Sequence, residues 1–101
     1  MDFAAELRGT STFIDAQAVV LTALVTKLAR ALGIPPIDVD TNKPLHAYGV
    51  DSLLAVELRN WFGKELGANI AVFDIMGAES ITAMSVTVAM NSSLVSCKDE
   101  A

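Results

Sequence analysis

Apolar side chains return at helical spacing in separate stretches of this chain, and the residues between them break that spacing. Val20, Leu24 and Leu28, with Leu21, Val25 and Leu32, make an i, i+4 stripe from which Gln17, Lys27 and Arg30 are excluded. Thr12-Phe13-Ile14-Asp15 ahead of it has capping-box spacing, with Asp in place of the usual Glu or Gln. Gly33, then Pro35-Pro36, are stop signals. A long amphipathic first helix is predicted. A second should run from about Ser52 to Leu66 and end near Gly67. At roughly 100 degrees per residue, its Leu54, Leu58, Trp61 and Phe62 share a buried face. Ser52, Val56, Arg59, Asn60 and Gly63 project the other way, with Leu53 at the edge.

The remaining segments are less regular. Residues 1–11, with Gly9-Thr10-Ser11, read as a linker or a short frayed helix around Phe3 to Leu7. From Ile34 to Asp51 all three prolines, with Asp38, Asp40, Asn42 and Gly49, rule out one helix or a regular strand. A loop this long needs pins or a purpose, and Ile37, Val39, Leu45 and Tyr48 are the candidate pins. Ile70 to Gly77 is expected to lead into a single helical turn near Asp74. Ser80 should then cap a last helix carrying Ile81, Met84 and Val88, although the alternation of Val86, Val88 and Met90 also fits a strand. The fold class is therefore all-α, with residues 12–90 as the domain and 91–101 as a polar, flexible tail.

The run Gly49-Val50-Asp51-Ser52-Leu53 places a serine where the loop gives way to the second helix. First-turn N–H groups lack intrahelical partners and carry the positive end of the helix dipole, so a phosphate ester on Ser52 would be favoured there. The plainer alternative is that Ser52 or Asp51 only caps the helix.

Bulk properties narrow the choice. A chain of 101 residues supports one modest core but not a large substrate-enclosing cleft. Seven basic against twelve acidic side chains give net charge −5. That surface would be repelled by nucleic acid or an anionic membrane, and it suggests partners with basic patches. Cys97 and His46 are each the sole residue of their type, which gives no disulfide framework, metal cluster or Cys/His pair and suits the cytoplasm. His46 reads as a solvated loop side chain. The apolar stretch from Ala16 to Val25, interrupted by Gln17 and Thr22, falls short of the roughly 18 residues of a membrane span. No signal-peptide pattern opens the chain.

Serine hydrolysis lacks support as well. The nucleophile-elbow glycines are absent, since Val50 and Leu54 flank Ser52 at the required spacing, and no base lies close by. Neither phosphate-loop nor dinucleotide-binding glycine patterns occur. Asp38, Asp40 and Asp51 lack calcium-loop spacing.

The stretch Leu45-His46-Ala47-Tyr48-Gly49-Val50-Asp51-Ser52-Leu53-Leu54-Ala55-Val56-Glu57-Leu58-Arg59-Asn60-Trp61 resembles acyl carrier domains of iterative type I polyketide synthases, in particular fungal highly reducing ones. Leu32-Gly33-Ile34-Pro35 and Val72-Phe73-Asp74-Ile75 extend the likeness, which covers roughly residues 12–90. The resemblance implies a four-helix bundle with a long first loop and a short third helix. It implies that Ser52 receives 4'-phosphopantetheine from coenzyme A through a magnesium-using phosphopantetheinyl transferase, with Asp51 aiding transferase recognition. The domain would be non-catalytic and monomeric. It would carry polyketide thioesters to ketosynthase, acyltransferase, reducing, dehydrating and releasing domains. Leu53, Val56 and Arg59 fall where the family's partner contacts fall, although Arg59 and Lys64 make this helix less acidic than in bacterial fatty-acid carriers. A peptidyl carrier would use the same arm, often with His beside the serine. A helical interaction module, with Ser52 only a cap or phosphorylation site, is the reading from another class.

Overall fold

A computed structural model describes residues 2–95. The expected flexible tail therefore falls outside the described residues from 96 onward, as does Cys97. Among the described residues the chain forms five α-helices and no strand: α1 (Phe3–Arg8), α2 (Phe13–Leu32), α3 (Ser52–Leu66), α4 (Val72–Met76) and α5 (Ile81–Asn91). The all-α reading holds, and α2 to α5, with a long first connection and a short third member, are the four expected helices.

Helix α2 starts and stops where its sequence signals lie. Thr12 is the N-cap and its side chain accepts from the Asp15 N–H, while Gly33 closes the helix in the left-handed region at φ 70°. Val20, Leu24 and Leu28 are fully buried, and Leu21, Val25 and Leu32 pack partly buried beside them. Helix α5 lies against α2. Its core face is Ile81, Met84, Val88 and Ala89 at helical spacing, so the strand alternative fails. Helix α3 contributes Ala55, Leu58, Phe62 and Leu66, all buried. Leu54 and Trp61 are only partly buried at the border of that face, and the Trp61 ring leans on Phe62 at 5.5 Å between centroids.

Two segments are more integrated than their composition suggests. Helix α1 is capped by Asp2 and buries Leu7 completely, packing on both α2 and α3. Residues 91–95, read from composition as the start of a polar tail, are packed. The Ser92 hydroxyl is buried and donates to the Leu66 carbonyl, Ser93 N–H donates to the Gly67 carbonyl at 2.9 Å, and Val95 is buried. No described helix is long and apolar enough to cross a membrane.

The long connection Ile34–Asp51 is built from two 3-10 turns, Pro36–Asp38 and Leu45–Tyr48. Val39 and Leu45 pin it to the core, joined by Val50. Tyr48 is partly buried and its hydroxyl accepts from the Asp40 N–H at 2.6 Å. Ile37 is not a pin: it sits inside the Pro36–Asp38 turn, 91% exposed. At the other end, Thr41 and Lys43 offer their carbonyls to α5, receiving the Thr82 N–H at 3.0 Å and the Ile81 N–H at 2.9 Å.

The glycines that close α2 and α3 differ in what surrounds them. Gly33 faces open space, whereas a Cβ on Gly67 would lie 2.9 Å from Ser93 Oγ and 3.1 Å from Leu94 Cγ, with φ at 63°. Gly33→Ala should cost only the left-handed backbone term, about 1–2 kcal/mol. Gly67→Ala should cost visibly more, because it also displaces the 92–95 segment. Urea unfolding of the two variants measures this, and equal losses would mean that the segment does not press on Gly67.

Candidate functional site

The loop-to-helix junction around Ser52 is assembled by constraints on either side of it. Upstream, Gly49 adopts φ 78°, a conformation that costs glycine nothing, and ends the Leu45–Tyr48 turn. Val50 then turns into the core, 4% exposed, so the next residues must face out. Downstream, Asp51 takes an extended backbone and caps α3: its Oδ1 accepts from the Leu54 N–H at 3.0 Å and its carbonyl from the Ala55 N–H at 2.9 Å.

That assignment settles which residue of the Asp-Ser pair is the cap. Asp51 serves the first-turn donors, and Ser52 is the first residue of the helix proper, exposed. Among the described residues the Ser52 hydroxyl has no hydrogen-bond partner. It stands at the positive end of a helix of 15 residues, with backbone donors nearby, which is chemistry suited to holding a phosphate ester.

The sequence-predicted neighbours of Ser52 divide. Leu53 is 76% exposed directly beside it, and Arg59 is exposed two turns on, its guanidinium touching the Asn60 side-chain oxygen at 3.4 Å. Val56 lies on the same side of α3 but is half-buried and does not pack on the core cluster. His46 is exposed in the Leu45–Tyr48 turn, and among the described residues no group of His, Cys, Asp and Glu side chains is placed to hold a metal ion.

One exposed apolar pair was not singled out in the sequence. Phe73 is 85% exposed and Met76 protrudes from the same face of α4, a helix that packs against α3 and against the turn leading to Ser52. The signal was present in the spacing: Val72 and Ile75 face the core, which leaves Phe73 and Met76 outward. Together with Leu53 they give this end of the molecule a discontinuous apolar surface.

Comparison with known proteins points one way. The family described as highly reducing polyketide synthase sdgA, C-terminal ACP domain, matches residues 10–100. The chain is 48% identical over 94 residues, 93% of its length, to highly reducing polyketide synthase 40 of Fusarium mangiferae. It is 52% identical over 80 residues, 79% of its length, to highly reducing polyketide synthase 2 of Gibberella zeae. It spans only 4% and 3% of those two relatives. Among solved structures, the A1-type ACP domain from module 5 of MLSA1 shares the fold with a TM-score of 0.75 at 24% identity, covering 90% of this chain and 91% of that one.

The cap assignment can be tested without any partner. Asp51→Ala should destabilise the protein by about 1 kcal/mol through loss of the cap, and Ser52→Ala by less than about 0.5 kcal/mol, since its hydroxyl bonds to nothing. Thermal unfolding reads both. A larger loss for Ser52→Ala would make the serine the structural residue.

Proposed function

The chain belongs to the acyl carrier domains of highly reducing polyketide synthases, and from that premise we propose that Ser52 is the residue to which its 4'-phosphopantetheine arm is attached. Domains of this family are non-catalytic carriers of acyl intermediates. The observation that supports Ser52 is its freedom: the cap is supplied by Asp51, so the neighbouring hydroxyl is exposed, unbonded and at the helix start.

The residues present fit the group. A phosphodiester on Ser52 Oγ would lie within the first turn of α3, beside the dipole's positive end, with no side chain needing to move out of a bonded position. When attached, the arm supplies a terminal thiol that holds the acyl chain as a thioester on a flexible tether. Everything else that this chain does is presentation. Val50 and the cap at Asp51 fix the serine at the surface, and the packed face of α3 keeps the helix from yielding when a partner presses on it.

The relatives are multidomain synthases, which implies partner catalytic domains for a carrier of this kind. In our reading those partners are a phosphopantetheinyl transferase acting with coenzyme A and magnesium, then ketosynthase, acyltransferase, reducing, dehydrating and releasing domains. Asp51 is the transferase-facing residue, and Leu53, Val56 and Arg59 form the docking strip. The single cysteine fits work in the cytoplasm. A peptidyl carrier would use the same arm, but the matched relatives favour the polyketide reading.

Incubation with coenzyme A, magnesium and a broad-specificity transferase should add one phosphopantetheine to the wild type and none to Ser52→Ala, read by intact mass. Addition to the alanine variant would sink the assignment. Asp51→Asn isolates recognition, because Asn caps as well as Asp. It should retain the melting temperature while slowing modification, and an unchanged rate would confine Asp51 to capping. Val56→Glu should slow acyl loading by synthase domains about tenfold while changing stability by less than about 1 kcal/mol. A large stability loss would place Val56 in the core instead.

A further inference from the structure

The outer face of α3 does not end at Arg59. Arg59, Asn60, Gly63 and Lys64 form one wall of a shallow groove of about 530 Å³, and Asn69 and Ser93 form the other. Among the described residues no carboxylate lines it. Neither cation has an acidic neighbour one helical turn away. The positions three and four residues from Arg59 are Ala55, Val56, Phe62 and Gly63, and those from Lys64 are Asn60, Trp61, Gly67 and Ala68. A second groove, beside α2, differs in this respect, since Lys27 and Arg30 there share the lining with Glu65.

The groove is thus a local cationic surface on a chain of net charge −5. Two further features make it receptive. Gly63 lines it without a side chain, where a Cβ would meet only the Ala68 carbonyl at 3.8 Å, so backbone from a partner can approach closely there. Asn60, Asn69 and the Ser93 hydroxyl add groups able to donate hydrogen bonds. Its position is set by the helix: Gly63 lies roughly 16 Å along the axis from Ser52, on the same side of α3.

We propose that this groove is a docking site for an acidic segment of a partner protein, whose carboxylates sit between Arg59 and Lys64. The proposal rests on the carrier reading for its purpose, since an anchor at this distance would hold Ser52 toward a partner's active-site entrance. It does not rest on that reading for its chemistry. Overall charge points to basic partners, and the groove reverses the sign where α3 is met end to end. An acidic segment here and an apolar surface against Leu53 would fix orientation along the helix, because the two ends of the strip accept different groups.

The test uses this protein and a defined probe. Amide chemical shifts of the isotope-labelled protein are followed while N-acetyl-hexaglutamate amide is added, with the hexaglutamine peptide as control. Shifts confined to residues 59–69 and 93, absent with hexaglutamine and reduced by salt, are the expected result. Arg59→Gln/Lys64→Gln should weaken the response about tenfold, and Arg8→Gln/Lys27→Gln should leave it within twofold. The Gln pair conserves helix propensity, and unchanged far-ultraviolet circular dichroism verifies its fold. No response to hexaglutamate, shifts shared equally with the residues around Lys27 and Arg30, or a response only to phosphatidylserine vesicles would each overturn the proposal. Ser52→Ala should bind the peptide normally, so failure of phosphopantetheine attachment and failure of the groove are read separately.

Discussion

The carbonyls of Thr41 and Lys43 hold the Ser52 end of the molecule together by accepting three hydrogen bonds from the first residues of α5. Helix α5 begins with N–H groups that its own turns cannot satisfy. The Ser80 hydroxyl takes the one at Ala83, and the loop carbonyls of Lys43 and Thr41 take those at Ile81 and Thr82. The Thr82 hydroxyl adds a further bond to the Thr41 carbonyl at 3.1 Å. Each such bond contributes on the order of 0.5–1.5 kcal/mol net, so lifting the loop would give up several at once and uncover the end of α5. A proline-containing connection is thereby converted into a fixed arm between α2 and α3. Val39, Leu45 and Val50 anchor it to the core, and the Tyr48 hydroxyl ties it back to Asp40.

From that fixed arm the site follows. Val50 inward forces Asp51 and Ser52 outward, and the carboxylate of Asp51 then does the capping that would otherwise have occupied the serine. Capping and attachment ask for opposite things from a hydroxyl: one needs it bonded inward, the other needs it free. In the proposed assignment two adjacent residues divide those demands. Asp suits the first because its oxygens accept without a proton to place.

Much of this was legible in the chain, and the reasons for the exceptions are physical. Helices α2 and α3 carry a stripe, a cap and a terminal glycine each, all local signals that agree, and they appear where those signals put them. The cap could not be assigned between Asp51 and Ser52 from residue preference, because both types are favoured and only the backbone path decides. Ile37 reads as a pin by its hydrophobicity, but the Pro36–Asp38 turn aims it at solvent. The packing of residues 92–95 depends on Leu66 and Gly67, far away in sequence, and polar composition conceals it. Helix α1 lies where the short-helix alternative put it, around Phe3 to Leu7, and what composition conceals is its docking: six residues are too few to be helical alone, and the burial of Leu7 holds them.

A carrier must meet several partners and stay with none, and the surface of α3 is suited to that demand. Its exposed groups are dissimilar: Leu53 near the serine, Val56 half-covered, Glu57 and Asn60 along the helix, then Arg59, Lys64 and Glu65 toward the far end. No one of them is a deep anchor of the kind that carries tight interfaces. A tether within one polypeptide raises the local concentration of carrier to about millimolar for short linkers, so contacts that are weak in free solution suffice. Under those conditions tight binding would slow release, while orientation still has to be correct each time. Contacts of different chemistry at the two ends of one rigid helix supply orientation with little affinity. The burial of Ala55, Leu58, Phe62 and Leu66 on its other side makes α3 a stiff ruler, and the proposed docking needs that stiffness, because a flexible helix could not convert a contact at Lys64 into a position for Ser52.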